Sequence, residues 1–144
     1  MPRPITLPVP GLDALRSAAR SEGFHFIDTL IDQWASGDNR FDRPGEILLG
    51  CFEDNLLAAV GGLNIDPFLN NPQTGRIRRV YVRPASRGRG LGRSLVIALL
   101  EHARSQFRSV RLRAVNPAAA RLYERLEFHP VEDPNATHIL TLEP

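Results

Sequence analysis

Between Arg76 and Arg93 the chain reads RIRRVYVRPASRGRGLGR, and this stretch restricts the possible folds more than any other. Ile77, Val80, Tyr81 and Val82 have strand character, and Pro84 ends the strand because proline lacks a ladder donor and has a fixed φ. Gly88, Gly90 and Gly92 follow, and without a Cβ they can turn tightly and bring backbone N–H groups close to a ligand. The apolar run Leu91, Leu95, Val96, Leu99 and Leu100 opens a helix directly behind them. A helix start carries unpartnered N–H groups and about half a positive charge, which suits a phosphate or pyrophosphate. Arg87, Arg89 and Arg93 add mobile cations, so the stretch is an anion site in outline.

Glycine loops before helices serve several nucleotide-binding classes, and spacing separates them. A P-loop ends in Gly-Lys-[Ser/Thr], and this chain has no lysine at all. A dinucleotide fingerprint needs G-x-G-x-x-G directly after its strand and an acidic residue about twenty positions on. Here the glycines fall as G-x-G-x-G, the strand ends several residues earlier, and the region around Val110 to Arg113 is basic. Both classes are excluded.

The spacing that remains is V-x-P followed by [Arg/Gln]-x-x-G-x-[Gly/Ala], present as Val82-Arg83-Pro84 and Arg87-Gly88-Arg89-Gly90-Leu91-Gly92. A second stretch, Asn116-Pro117-Ala118-Ala119-Ala120-Arg121-Leu122-Tyr123-Glu124-Arg125-Leu126-Glu127-Phe128, follows N-x-x-A-x-x-[Leu/Phe]-Y-x-x-x-G-F with one departure, Glu127 in place of the glycine. In these two motifs, and in the order of its elements over essentially the whole chain, the protein resembles the GCN5-related N-acetyltransferase superfamily. The resemblance implies an α/β fold with a mixed central sheet of six to seven strands, flanked by about four helices and with splayed central strands. It implies acetyl-CoA as cosubstrate and transfer of its acetyl group to a primary amine, on a small molecule or a protein, by direct attack on the thioester. The backbone of Val80, Tyr81 and Val82 would pair with the pantetheine arm and help polarise the thioester carbonyl. Arg87, Gly88, Arg89, Gly90, Leu91, Gly92 and Arg93 would hold the pyrophosphate, and Asn116 would contact the cofactor arm as well as cap its helix. Tyr123 would be the general acid, since a phenol with an ordinary pKa near 10 is protonated at neutral pH and can donate to a thiolate. Glu127 stands where a left-handed φ is usual, so strain or a remodelled turn is expected there.

Along the chain the pattern is continuous, and 144 residues accommodate one domain spanning 1–144 with one sizeable core. Ile5 to Val9 reads as a short strand, Leu12 to Arg20 as a first helix and His25 to Ala35 as a second, with Phe26, Leu30 and Trp34 at helical spacing. Glu46 to Phe52 and Leu56 to Ile65 form a hairpin across Glu53-Asp54-Asn55. After the helix from Leu91 to Ser105, a strand from Val110 to Val115 precedes a helix opened by Asn116-Pro117, a good N-cap followed by a residue suited to the first turn. Phe128 to Val131 and Thr137 to Leu142 close the sheet.

All eighteen basic residues are arginine, yet the net charge is only +2, so composition alone does not argue for nucleic acid. Clusters at Arg76, Arg78 and Arg79 and at Arg111 and Arg113 keep open an acidic ligand or acceptor, because guanidinium pairs carboxylates and phosphates bidentately. No run reaches membrane-spanning length and the first ten residues lack a secretory layout, so a cytoplasmic enzyme is expected, with oligomeric state, monomer or homodimer, open. Cys51 is the one cysteine and reads as a small core residue; the four histidines lack metal-ligand spacing, and no metal is expected. Phe24, Trp34 and Phe41 are candidates to shape an acceptor pocket. No general base transfers from the resemblance: Arg76 and Arg111 occupy the positions where some relatives carry a glutamate, which leaves Asp66, acting through water, and Glu46. That gap supports the alternative of a non-catalytic CoA-binding sensor or subunit.

Overall fold

The computed structural model describes residues 1–142. In chain order its elements are β1 (Arg3–Pro4), α1 (Leu12–Ser21), α2 (Phe26–Ser36), β2 (Ile47–Glu53), β3 (Leu56–Ile65), β4 (Thr74–Val82), a short 3-10 turn at Pro84–Ser86, α3 (Leu91–Ala103), β5 (Ser109–Leu112), α4 (Pro117–Arg125), β6 (His129–Asp133) and β7 (Ala136–Thr141). The strands form one seven-stranded sheet in the order β1-β2-β3-β4-β5-β7-β6. All neighbours are antiparallel except β4 and β5, which are parallel. This is the mixed sheet with four helices that the motifs imply.

The two faces are covered differently. On one, α3 leads a cluster that includes Leu63, Ile77, Leu95, Leu99, Val110, Tyr123 and Phe128. On the other, α1 and α2 pack Leu15, Ile27 and Leu30 against Val60 and Tyr81 of the sheet. Apolar residues at Leu91, Leu95, Leu99 and Ala103 recur every fourth position, which puts one stripe of α3 on the sheet. Each leucine buried as completely as Leu95 or Leu99 stabilises the fold by about 2 kcal/mol relative to exposure.

Element ends depart from expectation where prolines or side-chain bonds intervene. The first strand is Arg3–Pro4, opposite Gly50 and Leu49, rather than Ile5 to Val9. Pro8 and Pro10 cannot donate to a ladder, and Ile5 makes the last such contact, donating its N–H to the Leu48 carbonyl at 3.0 Å. The hairpin turns on Asp54 and Asn55 alone, both with positive φ (51° and 65°), while Glu53 stays in β2. That is the two-residue turn whose twist matches the strands, and Asp and Asn tolerate it. The β5 strand stops at Leu112 rather than Val115 because the Thr137 hydroxyl accepts the Ala114 N–H at 2.8 Å and turns the chain out of the ladder.

Glu127 keeps the left-handed φ of the residue it replaces, at 76°. Its N–H donates to the Glu124 carbonyl and the Phe128 N–H to the Tyr123 carbonyl, both at 3.0 Å, the bond pair of a Schellman terminus. The Phe128 ring packs edge-on against Tyr123 at 5.7 Å between centroids. The turn is therefore strained at one residue rather than remodelled.

Candidate active site

The site begins where β4 and β5 part. Their pairing covers only Thr74, Gly75 and Arg76 against Ser109, Val110 and Arg111. Beyond Arg76, β4 continues to Val82 without β5 beside it, while β3 holds its other edge. One edge of β4 is thus open to a ligand over about six residues, roughly 20 Å at strand rise.

A bulge at Arg79 shapes that edge. Gly62 lies opposite Arg78 and Val60 opposite Tyr81, so β4 carries one residue more than β3, and Arg79 takes a φ of 60°. Ile77 and Val80, three positions apart, both pack with the α3 cluster, whereas Tyr81 returns to the α1–α2 face. Arg78 and Arg79 fall between them, and Arg79 reaches Gln33 of α2 with an Nη–Oε distance of 3.4 Å. The bulge thus breaks the two-residue alternation and supplies an extra cation to one face.

The opening is a cleft of about 720 Å³ that passes between the two faces. Of the residues singled out from the sequence, Val80, Tyr81, Val82, Arg87, Gly88, Gly92, Asn116 and Tyr123 line it together with Phe24. Arg89, Gly90, Leu91 and Arg93 lie outside this lining, at the loop and helix start beyond its mouth. Gly88 and Gly90 have φ of 82° and 78°, and a Cβ built on either meets no atom within 4 Å. Gly90 caps α3 without any side-chain hydrogen bond. The first N–H groups of α3 thereby stay free beside open space, a fit for a pyrophosphate.

Four predicted residues are engaged within the protein. Arg87 donates both Nη groups to Glu22, at 2.8 and 2.5 Å, and its Nε to the Val82 carbonyl at 3.0 Å. The Tyr81 hydroxyl donates to the same Glu22 carboxylate at 2.5 Å. Arg87 first and Tyr81 second hold the Glu22 carboxyl down at about 2, and burial first, then Glu22, pushes the Tyr81 phenol up. Arg89 pairs with Glu53 at 2.9 Å, alongside Arg83 at 3.1 Å. Asn116 spends its Oδ1 on the Ala119 N–H at 2.8 Å, which leaves its amide NH₂ as a donor.

Tyr123 is 6% exposed on the wall of the cleft, and burial pushes its phenol up to about 12. The two carboxylates considered as bases lie elsewhere. Asp66, 1% exposed, sits beneath the β4–β5 junction with Oδ2 at 3.0 Å from Arg111 Nε and 3.6 Å from Arg76 Nη1, while Oδ1 accepts the Phe68 N–H. Glu46 accepts the N–H groups of Arg43 and Ile65 and lines a separate hollow of about 250 Å³. Trp34 and Phe41 line that hollow too, so of the three proposed pocket aromatics only Phe24 belongs to the cleft. Cys51 is buried in β2, with its thiol pushed up by burial.

Glu22, Phe68 and Asn135 escaped the sequence reading, and Phe26, legible there only as an apolar helix residue, lines the cleft as well. Glu22 acts across 65 positions, and Phe68 lies in a loop whose only sequence signal is two prolines and several amides, so neither leaves a local pattern.

The sequence pattern of the acetyltransferase (GNAT) family matches residues 12–128. The chain belongs to that family. GNAT proteins are acetyl-CoA-dependent acetyltransferases, and solved structures share the fold. A presumed acetyltransferase from Exiguobacterium sp. 255-15 superposes with a TM-score of 0.87 at 24% identity, over 98% of this chain and 92% of that one. Ribosomal-protein-alanine N-acetyltransferase from Brucella melitensis gives 0.69 at 20% identity, over 98% and 96%. YncA of Salmonella typhimurium, a presumed acetyltransferase solved with its cofactor acetyl-CoA, gives 0.62 at 19% identity, over 82% and 75%. Among the described residues no helix is long and apolar enough to cross a membrane, and no cluster of three metal-ligating side chains occurs.

Proposed function

We propose that this GNAT protein binds acetyl-CoA along the open edge of β4 and lets a primary amine attack the thioester directly. The observation that carries this reading is the coincidence, in one cleft, of the unpaired β4 edge at Val80, Tyr81 and Val82, the glycine loop at its mouth and Tyr123 on its wall. Backbone groups of Val80 to Val82 would align the pantetheine arm and polarise the carbonyl. The loop from Arg87 to Arg93 and the free N–H groups of α3 would take the pyrophosphate, and the Asn116 amide would donate to the arm.

In the transfer step the amine nitrogen forms a bond to the carbonyl carbon and the carbon–sulfur bond breaks. The thiolate takes the Tyr123 proton, and the proton released by the amine leaves to solvent and later restores the phenol. No carboxylate or histidine lines the cleft among the described residues, whereas Arg76, Arg78, Arg79, Arg87 and Arg113 do. Nearby positive charge disfavours the ammonium form of a bound amine, which supplies neutral acceptor without a dedicated base. The same lack of a base is what a non-catalytic CoA-binding subunit would show.

Calorimetric titration with acetyl-CoA, with ATP and NAD as controls and Gly90→Glu as comparison, tests the binding. Thiol release across a panel of amines then tests the transfer. Specific binding lost in the variant, followed by amine-dependent release, is expected. Binding without release across the panel would favour the subunit reading, and no binding by folded protein would overturn both.

A further inference from the structure

The charges around the β4–β5 junction do not balance. Arg76 and Arg111, 5% and 6% exposed, are matched by two carboxylates: Asp66 contacts both, and Asp133 contacts Arg111 at 3.3 Å. Arg78, Arg79 and Arg113 have no carboxylate within ion-pair distance among the described residues, yet all three line the cleft. Arg79 is half-buried, makes one long contact to Gln33, and leaves its Nε buried without a partner. Burial first, then Arg78 and Arg76, pulls its guanidinium down to about 10. Arg113, across the gap on the segment after β5, donates to the Pro134 carbonyl at 3.1 Å and is otherwise exposed.

Gathering guanidinium groups without counter-charge costs stability, so a fold that does so has a use for the field. The pyrophosphate is not its target. Arg79 lies three residues before the end of β4, about 10 Å at strand rise, and the glycine loop lies beyond that end. The bulge also directs Arg79 to the α1–α2 face, away from α3, whose N-terminus serves the loop. Phe24, Phe26 and Phe68 line the cleft too, with the Phe68 ring 4.7 Å beneath the Arg76 guanidinium.

We propose that the acceptor is a small amine that also carries an anionic group, a carboxylate or a phosphorus oxyanion, held by Arg78, Arg79 and Arg113 with its apolar part against the phenylalanines. This rests on the transferase reading above and names its substrate class. Guanidinium offers such groups two parallel N–H donors, and the same field repels polyamines and lysine-rich peptides.

The test compares matched pairs: L-amino acids against their carboxamides, and 2-aminoethylphosphonate against ethylamine. Carboxamides have the less basic amine, so the comparison is biased against the proposal. The anionic member is expected to have at least about tenfold higher kcat/KM, in the carboxylate or the phosphonate arm according to which anion the site takes. Arg79→Gln and Arg113→Ala should each shrink that ratio, and Arg113 is exposed enough for its variant to fold. Turnover with no preference for the anionic member in either arm would overturn the proposal and leave the transferase reading standing. If no amine is turned over, the N-acetylated members of the same pairs are titrated calorimetrically with CoA present. Preference for the anionic one, lost in Arg79→Gln, would uphold the anion site while the transferase reading fails; no preference would overturn it.

Discussion

Glu22, at the end of α1, holds Arg87, on the loop after β4, by two parallel hydrogen bonds at 2.8 and 2.5 Å. The pair ties the helical hairpin of one face to the mouth of the cleft, and it neutralises the arginine that precedes the glycine loop. The Arg87 side chain is 44% exposed, so the pair contributes less than about 1 kcal/mol to stability. Glu22→Gln keeps a carbonyl oxygen for the Tyr81 hydroxyl and removes the charge. Acetyl-CoA binding is expected to tighten about fivefold, read by calorimetry, with a small loss in thermal midpoint. Unchanged or weaker binding would show that Arg87 does not serve the phosphates. Because the Glu22 carboxyl is held down at about 2, its contribution to stability is complete above the ordinary carboxylate pKa and fades only as pH falls toward 2.

Tyr123→Phe removes a hydroxyl while leaving the ring against Phe128 in place. With an acceptor in hand, kcat should fall about 100-fold with little change in the KM for acetyl-CoA. Burial favours the neutral phenol, so the proton stays on Tyr123 up to about pH 12. The rate should then rise with amine deprotonation and show no falling limb near pH 10. A descending limb there, or unchanged turnover in the variant, would remove the acid role. The linked stability term has the opposite sense to that of Glu22: it is complete below the ordinary tyrosine pKa and is lost as pH climbs from about 10 to 12.

What the sequence disclosed follows from how local each determinant is. Pro84 ending a strand, Gly88 and Gly90 at left-handed φ and Asn116 capping α4 are settled by the residues and their immediate neighbours. The splay of β4 and β5 was expected from family resemblance alone, since nothing in Val110 to Val115 reveals that Thr137 draws the chain away at Ala114. The bulge at Arg79 was illegible for a different reason: one extra residue in a strand alters register without altering composition. Asp66 is a candidate base on sequence only through its place just past the strand that precedes β4. Its two arginine partners come from β4 and β5, 10 and 45 positions further along the chain, and only the fold brings them together.

Asp66→Asn tests that assignment. Its carboxylate is completely shielded and faces Arg76 and Arg111, which are themselves nearly buried. Removing one member of such a group leaves buried charge without a counter-charge, at a cost of about 3 to 5 kcal/mol. Urea denaturation should show the midpoint falling with little change in slope. A loss under about 1 kcal/mol would mean that solvent reaches the junction and would return Asp66 to the list of possible bases.

Glu127 offers a prediction in the opposite direction. Its left-handed φ of 76° is fixed by the two hydrogen bonds that end α4 and by the Tyr123–Phe128 contact, so the backbone cannot relax to suit the side chain. A non-glycine residue in this region costs roughly 1 to 2 kcal/mol, part of which glycine gives back through the greater freedom of the unfolded chain. Glu127 is exposed and, among the described residues, its side chain has no hydrogen-bond partner to offset the difference. Glu127→Gly should therefore stabilise the protein by about 0.5 to 1 kcal/mol, with Glu127→Ala neutral or slightly destabilising by the same urea measurement. A destabilised glycine variant would mean that the glutamate side chain supports the turn. The position bears on function as well, because the helix end it closes is the one that carries Tyr123, and a firmer turn holds the phenol more tightly against the cleft.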